Sequence, residues 1–416
     1  MPLGTYPMAG LAGIPSPAVL VFREYLEHNL EQTISLAGGP QRLRPHCKTH
    51  KTHEIIRMWL ERGVTRHKCA TLREAAMCIE AGAHDVVIAY QMVGPNVAQL
   101  VVLASEHPDV KLAALVDTPG AAEALSRAAQ GRGLTVGVLV DLDTGLHRTG
   151  ISLEEAPALY ATVASLPGLR LDGLHVYDAQ HNVYTEPTQR EAAVTETIQA
   201  LIRLVAGLVA AGHPVPEVVC GGSATFPYYA HQGKPFTGSP GTTVFWDHGY
   251  AQKYPDLDAH FVPAALLLGR VVSRPAPQHL TLDIGSKAIA ADPPIGKRGR
   301  LLGLEGAETL LHNEEHWTLQ TDRAGAYTVG DLILVIPTHI CPCTNLHPQL
   351  YVVERDGSLG ECWEVAARQR TLTLPPFLGW QDARPGAAIN RTPYGRRPSD
   401  IPFRGGESGA VDGRRR

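Results

Sequence analysis

From about residue 20 to 250 the chain repeats one unit, a short apolar strand followed by a helical stretch. The candidate strands are "LRPHCK", "RHKCA", "DVVIAY", "KLAALV", "TVGVLVD", "LRLDGLHVY", "PEVVCG" and "TTVFW". Between them lie helix signals. In "TLREAAMCIEAG", Thr71 and Glu74 form a capping box and Gly82 stops the helix. The long stretch "PTQREAAVTETIQALIRLVAGLVAAG" ends at Gly212. Strands that alternate with helices pair in parallel, because parallel neighbours need a crossover between them. Eight of them predict an α/β fold, a closed (β/α)8 TIM-type barrel with its site at the C-terminal strand ends. A doubly wound open sheet is the competing arrangement.

After about residue 260 the texture changes to strand-like runs joined by Gly, Pro and Asp turns, among them "AALLLGRVVSRP", "GDLILVIPTHIC" and "QLYVVE". This predicts a smaller, mostly β domain behind the barrel. The expected division is an N-terminal segment 1–22 that pairs with the β domain, a barrel over 23–258, a β domain over 259–380 and a disordered tail over 381–416. With 416 residues, 44% of them hydrophobic, the chain has material for such a core. Its net charge of -4 argues against a general nucleic-acid binder. The odd count of seven scattered cysteines reads as a reduced, cytoplasmic chain without a disulfide framework. The first residues lack a basic region before their apolar part, so they make a poor signal peptide. No uninterrupted apolar run reaches spanning length, so no membrane partner is expected. Partners are expected among small molecules.

The stretch "RPHCKTHKTH", residues 44–53, crowds cations. As a strand it would set Arg44, His46, Lys48 and His50 on one face. Like charges side by side repel, so an anion is expected there. A lysine among cations tends towards the neutral amine, a nucleophile that forms a Schiff base with a carbonyl. Pyridoxal phosphate supplies both an aldehyde for Lys48 and anionic groups for the basic face. A solvated surface strand is the alternative.

Three further stretches carry chemistry. In "VVCGGSATFPYY" an apolar strand runs into Gly221, Gly222 and Ser223, then Thr225, a pattern that turns N–H groups and hydroxyls towards an anion. Gly241 in "SPGTTVF" offers a second such loop, late in the barrel where phosphate sites occur. In "DLDTGLHRTGI", Arg148 follows a strand and could fix a phenolate or carboxylate. In "PTHICPCTNLH", His339 and Cys341 would share one face of an extended segment and could ligate a divalent metal with positions left open. Adding Cys343 and His347 would instead make a closed structural zinc site.

Together and in this order, these segments resemble the fold-type III pyridoxal-phosphate enzymes of the D-threonine aldolase and D-serine dehydratase family. The resemblance runs from "IPSPAVLVF" to about residue 370. It implies Lys48 as the cofactor lysine with His46 beside it, and Arg148 at the cofactor's phenolic oxygen. "GLHVYDAQH" places Tyr177 near the pyridine nitrogen, and "CGGSATF" matches the phosphate loop. "THIC" matches the metal segment, His339 with Cys341. The implied metal is Zn²⁺, with Mn²⁺ as the alternative and the thiolate favouring zinc. His181 is the candidate aldolase base. The implied activity is metal-assisted cleavage of D-3-hydroxy amino acids, of the D-threonine aldolase type. A D-serine dehydratase or D-3-hydroxyaspartate lyase is the runner-up, because dehydratases pair His with Cys where many aldolases pair His with Asp. A racemase or a non-catalytic cofactor-binding protein ranks lower. Thr243 stands where relatives often place a tyrosine. Dimers are frequent in this fold type, so a homodimer is the assembly the resemblance implies.

Overall fold

The barrel closes on a segment that is barely a strand. The computed structural model describes residues 4–8, 10–370 and 372. Ala18–Phe22 (β1) stands outside the barrel. Arg66–Cys69 (β2), Asp85–Gln91 (β3), Lys111–Val116 (β4), Val136–Asp143 (β5), Leu169–Val176 (β7), Glu217–Cys220 (β8) and Phe236–Gly238 (β9) run parallel in that order, with the short Ile151–Ser152 (β6) annexed to β5. The eighth stave is residues 43–46. Leu43 bridges Gly238 and His46 bridges Lys68, both in parallel. The Arg44 N–H donates to Gly238 O and the Lys68 N–H to Pro45 O, each at 2.9 Å. The expected barrel is therefore closed. Val87, Ala113, Leu115, Leu139 and Val219 fill its centre.

Two of the expected strands are not strands. "LRPHCK" contributes only its two bridges, and the chain then tightens into a 3₁₀ turn over Cys47–Thr49. The alternation of faces ends there. "TTVFW" is likewise a 3₁₀ turn, Thr242–Val244, and the last barrel strand lies earlier, at Phe236–Gly238.

The expected basic face loses three of its four members, for burial and Lys48 also hold the His46 imidazole well below its usual range. Arg44 is buried at the opposite end of the barrel from the site. Nη2 meets Glu217 Oε2 at 2.7 Å and Nη1 meets Asp85 Oδ1 at 2.8 Å, while Arg66 adds a second contact to Glu217 at 2.9 Å. Asp85 and Glu217 open β3 and β8, so this network plugs the N-terminal end of the barrel. His50 is also no cation. Burial first, then His67, holds its imidazole down at about 3.

The second sheet comprises β1 with Ala265–Ser273 (β10), His279–Leu282 (β11), Gly299–Leu301 (β12), Glu308–His312 (β13), Trp317–Gln320 (β14), Leu332–Pro337 (β15), Gln349–Val353 (β16) and Leu359–Glu364 (β17). β1 sits inside it, antiparallel to β10 (Ala18 opposite Leu268) and parallel to β16 (Val19 opposite Leu350). All five β1 residues are buried, which is why "AVLVF" is continuously apolar rather than alternating. Phe226 and Phe245 from the barrel share one core with Leu267, Val335 and Leu350 from this sheet. The boundary at 258/259 is thus one of topology and not a gap in packing.

The helix Pro187–Ala210 is long and apolar enough by length and composition to cross a membrane. It lies on the outside of the barrel with Val194, Ile198, Leu201 and Leu208 buried, and Arg190, Glu191, Glu196 and Arg203 interrupt it. The expected tail, 381–416, lies outside the described residues.

Candidate active site

A cavity of about 540 Å³ opens at the C-terminal ends of the barrel strands. His46 and Lys48 enter it from the closing turn, Lys68 from β2, Arg148 from the loop after β5, His175 from β7 and Tyr177 directly after β7. The turn presents Lys48 because the His46 imidazole caps it, Nδ1 accepting the Lys48 N–H at 3.2 Å. Lys48 Nζ lies 5.5 Å from the Tyr177 ring centre and the Arg148 guanidinium 4.6 Å from it. One aromatic face thus serves two cations. The fold thus gathers Lys48, His46, Arg148 and Tyr177 at one cavity, with Lys48 in a turn and not on the expected strand face.

The floor of the cavity was not foreseen. His175 Nδ1 bonds Asp141 Oδ1 at 2.7 Å, and Asp141 Oδ2 accepts from Gln91 Nε2 and Thr149 Oγ1, each at 2.8 Å. Gln91 also donates to Asp117 Oδ2 at 3.0 Å. Burial pushes the His175 imidazole down, against the pull of Asp141. Its Nε2 is buried without a partner. Burial and then Lys48 push the Lys68 amine down to about 7. Lys68, Gln91, Asp117, Asp141 and His175 all stand in or just after barrel strands towards their C-terminal ends. Position along the strand was the available signal for them.

The two glycine loops lie beside the cavity and are stitched together. Ser223 Oγ accepts the N–H of Gly241 at 3.2 Å and of Thr242 at 2.9 Å. Thr225 Oγ1 accepts from Gly222 N and donates to Asp178 Oδ1, each at 3.0 Å, so that hydroxyl shapes the loop. Gly221 has φ +77°, and a Cβ there would meet Tyr229 at 3.0 Å. Thr243 Oγ1 is buried without a partner.

His339 and Cys341 do not sit on an extended segment. The strand ends at Pro337, His339 stands at the N-cap position of the helix Ile340–Leu346 without a side-chain capping bond, and Cys341 lies in its first turn. Their side chains still meet. Burial would raise the Cys341 thiol, but His339, Lys48 and Thr49 bring it below its usual range. Burial opposes charge on His339, while Cys341 and Asp292 hold its imidazole up at about 9. Asp292 Oδ2 lies 2.5 Å from His339 Nδ1. His339 faces a second cavity of about 280 Å³, shared with Asp247, Tyr250 and Asp292. Cys343 and His347 do not join the pair. The Cys343 thiol donates to His339 O and accepts from Ala290 N, each at 3.1 Å, and His347 Nε2 bonds Ala288 O at 2.8 Å. The four side chains are therefore not gathered as one ligand set in this structure. The group of potential ligands found close together, His46, Cys47 and Glu74, is already used by the turn, where Lys51 pairs with Glu74.

His181 is placed away from the cavity wall. Its Nε2 lies 2.9 Å from Thr197 Oγ1 on the long outer helix. The structure does not bring it to Lys48.

Residues 23–246 match the family model of the alanine racemase N-terminal domain, and residues 264–353 match that of a putative serine dehydratase domain. A D-threonine aldolase of Arthrobacter sp. is 28% identical over 373 residues, 88% of this chain and 96% of that protein. A D-threo-3-hydroxyaspartate dehydratase of Delftia sp. is 24% identical over 378 residues, 85% of this chain and 98% of the other. The crystal structure of D-threonine aldolase from Filomicrobium marinum superposes with a TM-score of 0.80 at 28% identity, over 86% of this chain and 97% of that one. With a closed barrel, a lysine-bearing turn at its mouth and a matching model over more than half its length, the chain belongs to the pyridoxal-phosphate-dependent family of the alanine racemase N-terminal domain.

Proposed function

We propose that the protein is a pyridoxal-phosphate- and metal-dependent lyase that cleaves D-3-hydroxy amino acids, of the D-threonine aldolase type. One observation carries the reading. Thr49 Oγ1 lies 3.2 Å from Cys341 Sγ, which sets a thiol and imidazole pair against the turn that bears Lys48. A lyase of this kind needs an amine for the cofactor and a cation site for the substrate's hydroxyl, side by side.

The residues present fit both groups. Lys48 would hold the cofactor, with Arg148 and Tyr177 on its ring and the loops of Gly221, Gly222, Ser223 and Gly241 beside its phosphate. His175 Nε2 is an orphaned donor or acceptor at the cavity. A Cβ at Gly222 would lie 3.3 Å from the Tyr177 ring, and one at Gly241 would lie 3.3 Å from Thr49 Oγ1, so a side chain at either position would press on the residues that line the site. When bound, pyridoxal phosphate supplies an electron sink for the bond broken at Cα. His339 and Cys341 would hold the metal, whose Lewis acidity lowers the pKa of a bound hydroxyl. Asp292 fixes the His339 ring through Nδ1 and leaves Nε2 for the ion. Asp141 orients His175 in the same way. In the aldolase reading the proton leaves the substrate's β-hydroxyl and Cα gains one, which Lys48 Nζ, in the cavity, would be placed to donate; only in the dehydratase alternative would the same amine accept a proton from Cα.

Purified enzyme given D-threonine is expected to release glycine and acetaldehyde. Release of 2-oxobutanoate and ammonia would sink the aldolase reading in favour of the dehydratase, the alternative that Cys341 in the metal pair supports. Asp292→Asn is expected to weaken metal affinity about 10–100-fold. Cys341→Ser should weaken it at least as much and Cys343→Ser should leave it unchanged, as read by metal titration of the chelator-treated protein. The thiolate favours zinc over manganese.

A further inference from the structure

Lys68 is a buried amine to which the fold, among the described residues, gives no ion pair. It is 2% exposed, on an interior position of β2 between Cys69 and His67, where a barrel of this size would ordinarily place an apolar side chain. Its side chain reaches the wall of the cavity with Lys48, His175 and Tyr177. The charged and titratable groups that face it are Lys48 and His46 from the closing turn, His175 from β7, Asp141 from β5, Asp178 after β7 and Cys220 from β8. The two carboxylates act on it only through space, and among the described residues it has no salt bridge. Asp141 is already committed to His175, Gln91 and Thr149, and Asp178 to Thr225. Lys48 repels it. An ammonium buried beside another without a partner is unfavourable unless something anionic arrives.

We propose that Lys68 is an anion-binding residue of this cavity, whose counter-ion is an oxyanion of the bound cofactor. The inference rests on the reading that the cavity takes pyridoxal phosphate. It assigns a job to a residue that neither the motif around Lys48 nor the phosphate loops include. It also carries a proton linkage. Burial and Lys48 bring the amine to about 7, so the empty cavity loses this charge as pH rises through that value, and binding of an anion above it takes up a proton.

The test titrates the chelator-treated apo-protein with pyridoxal 5'-phosphate and, separately, with pyridoxal. Binding is followed by visible absorption from about pH 6 to about pH 9, a window that brackets the amine. Lys68→Met removes the charge and fills the same space, Lys68→Gln stands in should that variant not fold, and Lys68→Arg keeps a charge that does not titrate. The neutral variants are expected to bind pyridoxal phosphate at least tenfold more weakly below pH 7, and Lys68→Arg to bind it like the wild type. Wild-type affinity should fall as pH rises through about 7, with the fall absent in Lys68→Arg. A Lys68 effect that persists with pyridoxal assigns the ring oxygen as counter-ion, and one confined to pyridoxal phosphate assigns the phosphate. Neutral variants that bind both compounds with wild-type affinity and pH profile would overturn the proposal. A wild-type protein that takes up no pyridoxal phosphate would overturn the cofactor reading itself, which is a separate result.

Discussion

Lys48→Ala is expected to give a folded, colourless protein whose activity is reduced on the order of 10³-fold or more. The side chain projects into the cavity from a 3₁₀ turn held by other residues, so its loss should cost little stability. The turn is held by the His46 cap, by the N–H of His50 and of Lys51 on Cys47 O, and by the Lys51–Glu74 ion pair. Lys51→Ala makes the contrast. Lys51 reaches away from the cavity to Glu74, whose side chain is 1% exposed, and adopts φ +56° to do so. Removing it leaves a buried carboxylate uncompensated, a loss of about 3–5 kcal/mol. The two lysines of one short motif should therefore separate in two measurements. Visible absorption after cofactor loading should vanish in Lys48→Ala and persist in Lys51→Ala, while the melting temperature should fall only in Lys51→Ala.

Glu217→Ala should have the largest effect on folding. Arg44 is 1% exposed and takes both of its strong contacts from Glu217 and Asp85. Deleting Glu217 leaves Arg66 without its carboxylate and buried Arg44 with Asp85 alone, and the expected loss is about 3–5 kcal/mol in chemical denaturation. The same carboxylate sets an acid limit. Burial would raise its pKa, but Arg44 and then Arg66 hold it at about 2, below the ordinary 4.5. A lowered pKa means stabilisation that is fully present above the ordinary value and is lost as pH falls towards the folded one. The wild type should lose stability progressively from about pH 4.5 to about pH 2, and Glu217→Gln should lack that step in a series of thermal melts.

The fold was legible because its signals are periodic and many. Strand and helix alternate through most of the barrel, and one weak stave does not blur the count. The misread staves have a common cause. Residues 43–46 need only two bridges to close the barrel, and the pattern of the sequence does not show that His46 then bends the chain by capping Lys48. Phe236–Gly238 is three residues between glycine and proline turns, too short for any period to appear. Lys48 stood out by its crowd of cations and Arg148 by its place after a strand, while Tyr177 came only from the family resemblance; the structure sets the three around one cavity. Lys68, His175 and Asp141 lie inside apolar strands outside any spaced motif, and their one signal, a place near the C-terminal end of a barrel strand, is shared by many residues that only pack. His181 failed for the opposite reason. It follows Tyr177 closely in sequence, but a 3₁₀ turn over Ala179–Val183 rotates it onto the outer helix.

The position of β1 has a consequence for how the chain can be made and cut. It is synthesised before either of its neighbours, β10 and β16, and more than 240 residues separate it from the first of them. The entire barrel must emerge while five buried-type apolar residues wait unpaired, a long-range closure of the kind that slows folding and exposes chains to aggregation. A fragment starting at residue 23 would be more than a truncation. It would leave the second sheet split between β10 and β16, with two bare edges facing each other across an empty lane. The two halves of this protein are thus tied by a strand exchanged between sequence ends. The β domain should therefore not be expressible as a soluble fragment unless that strand is supplied, on the same chain or as a separate peptide.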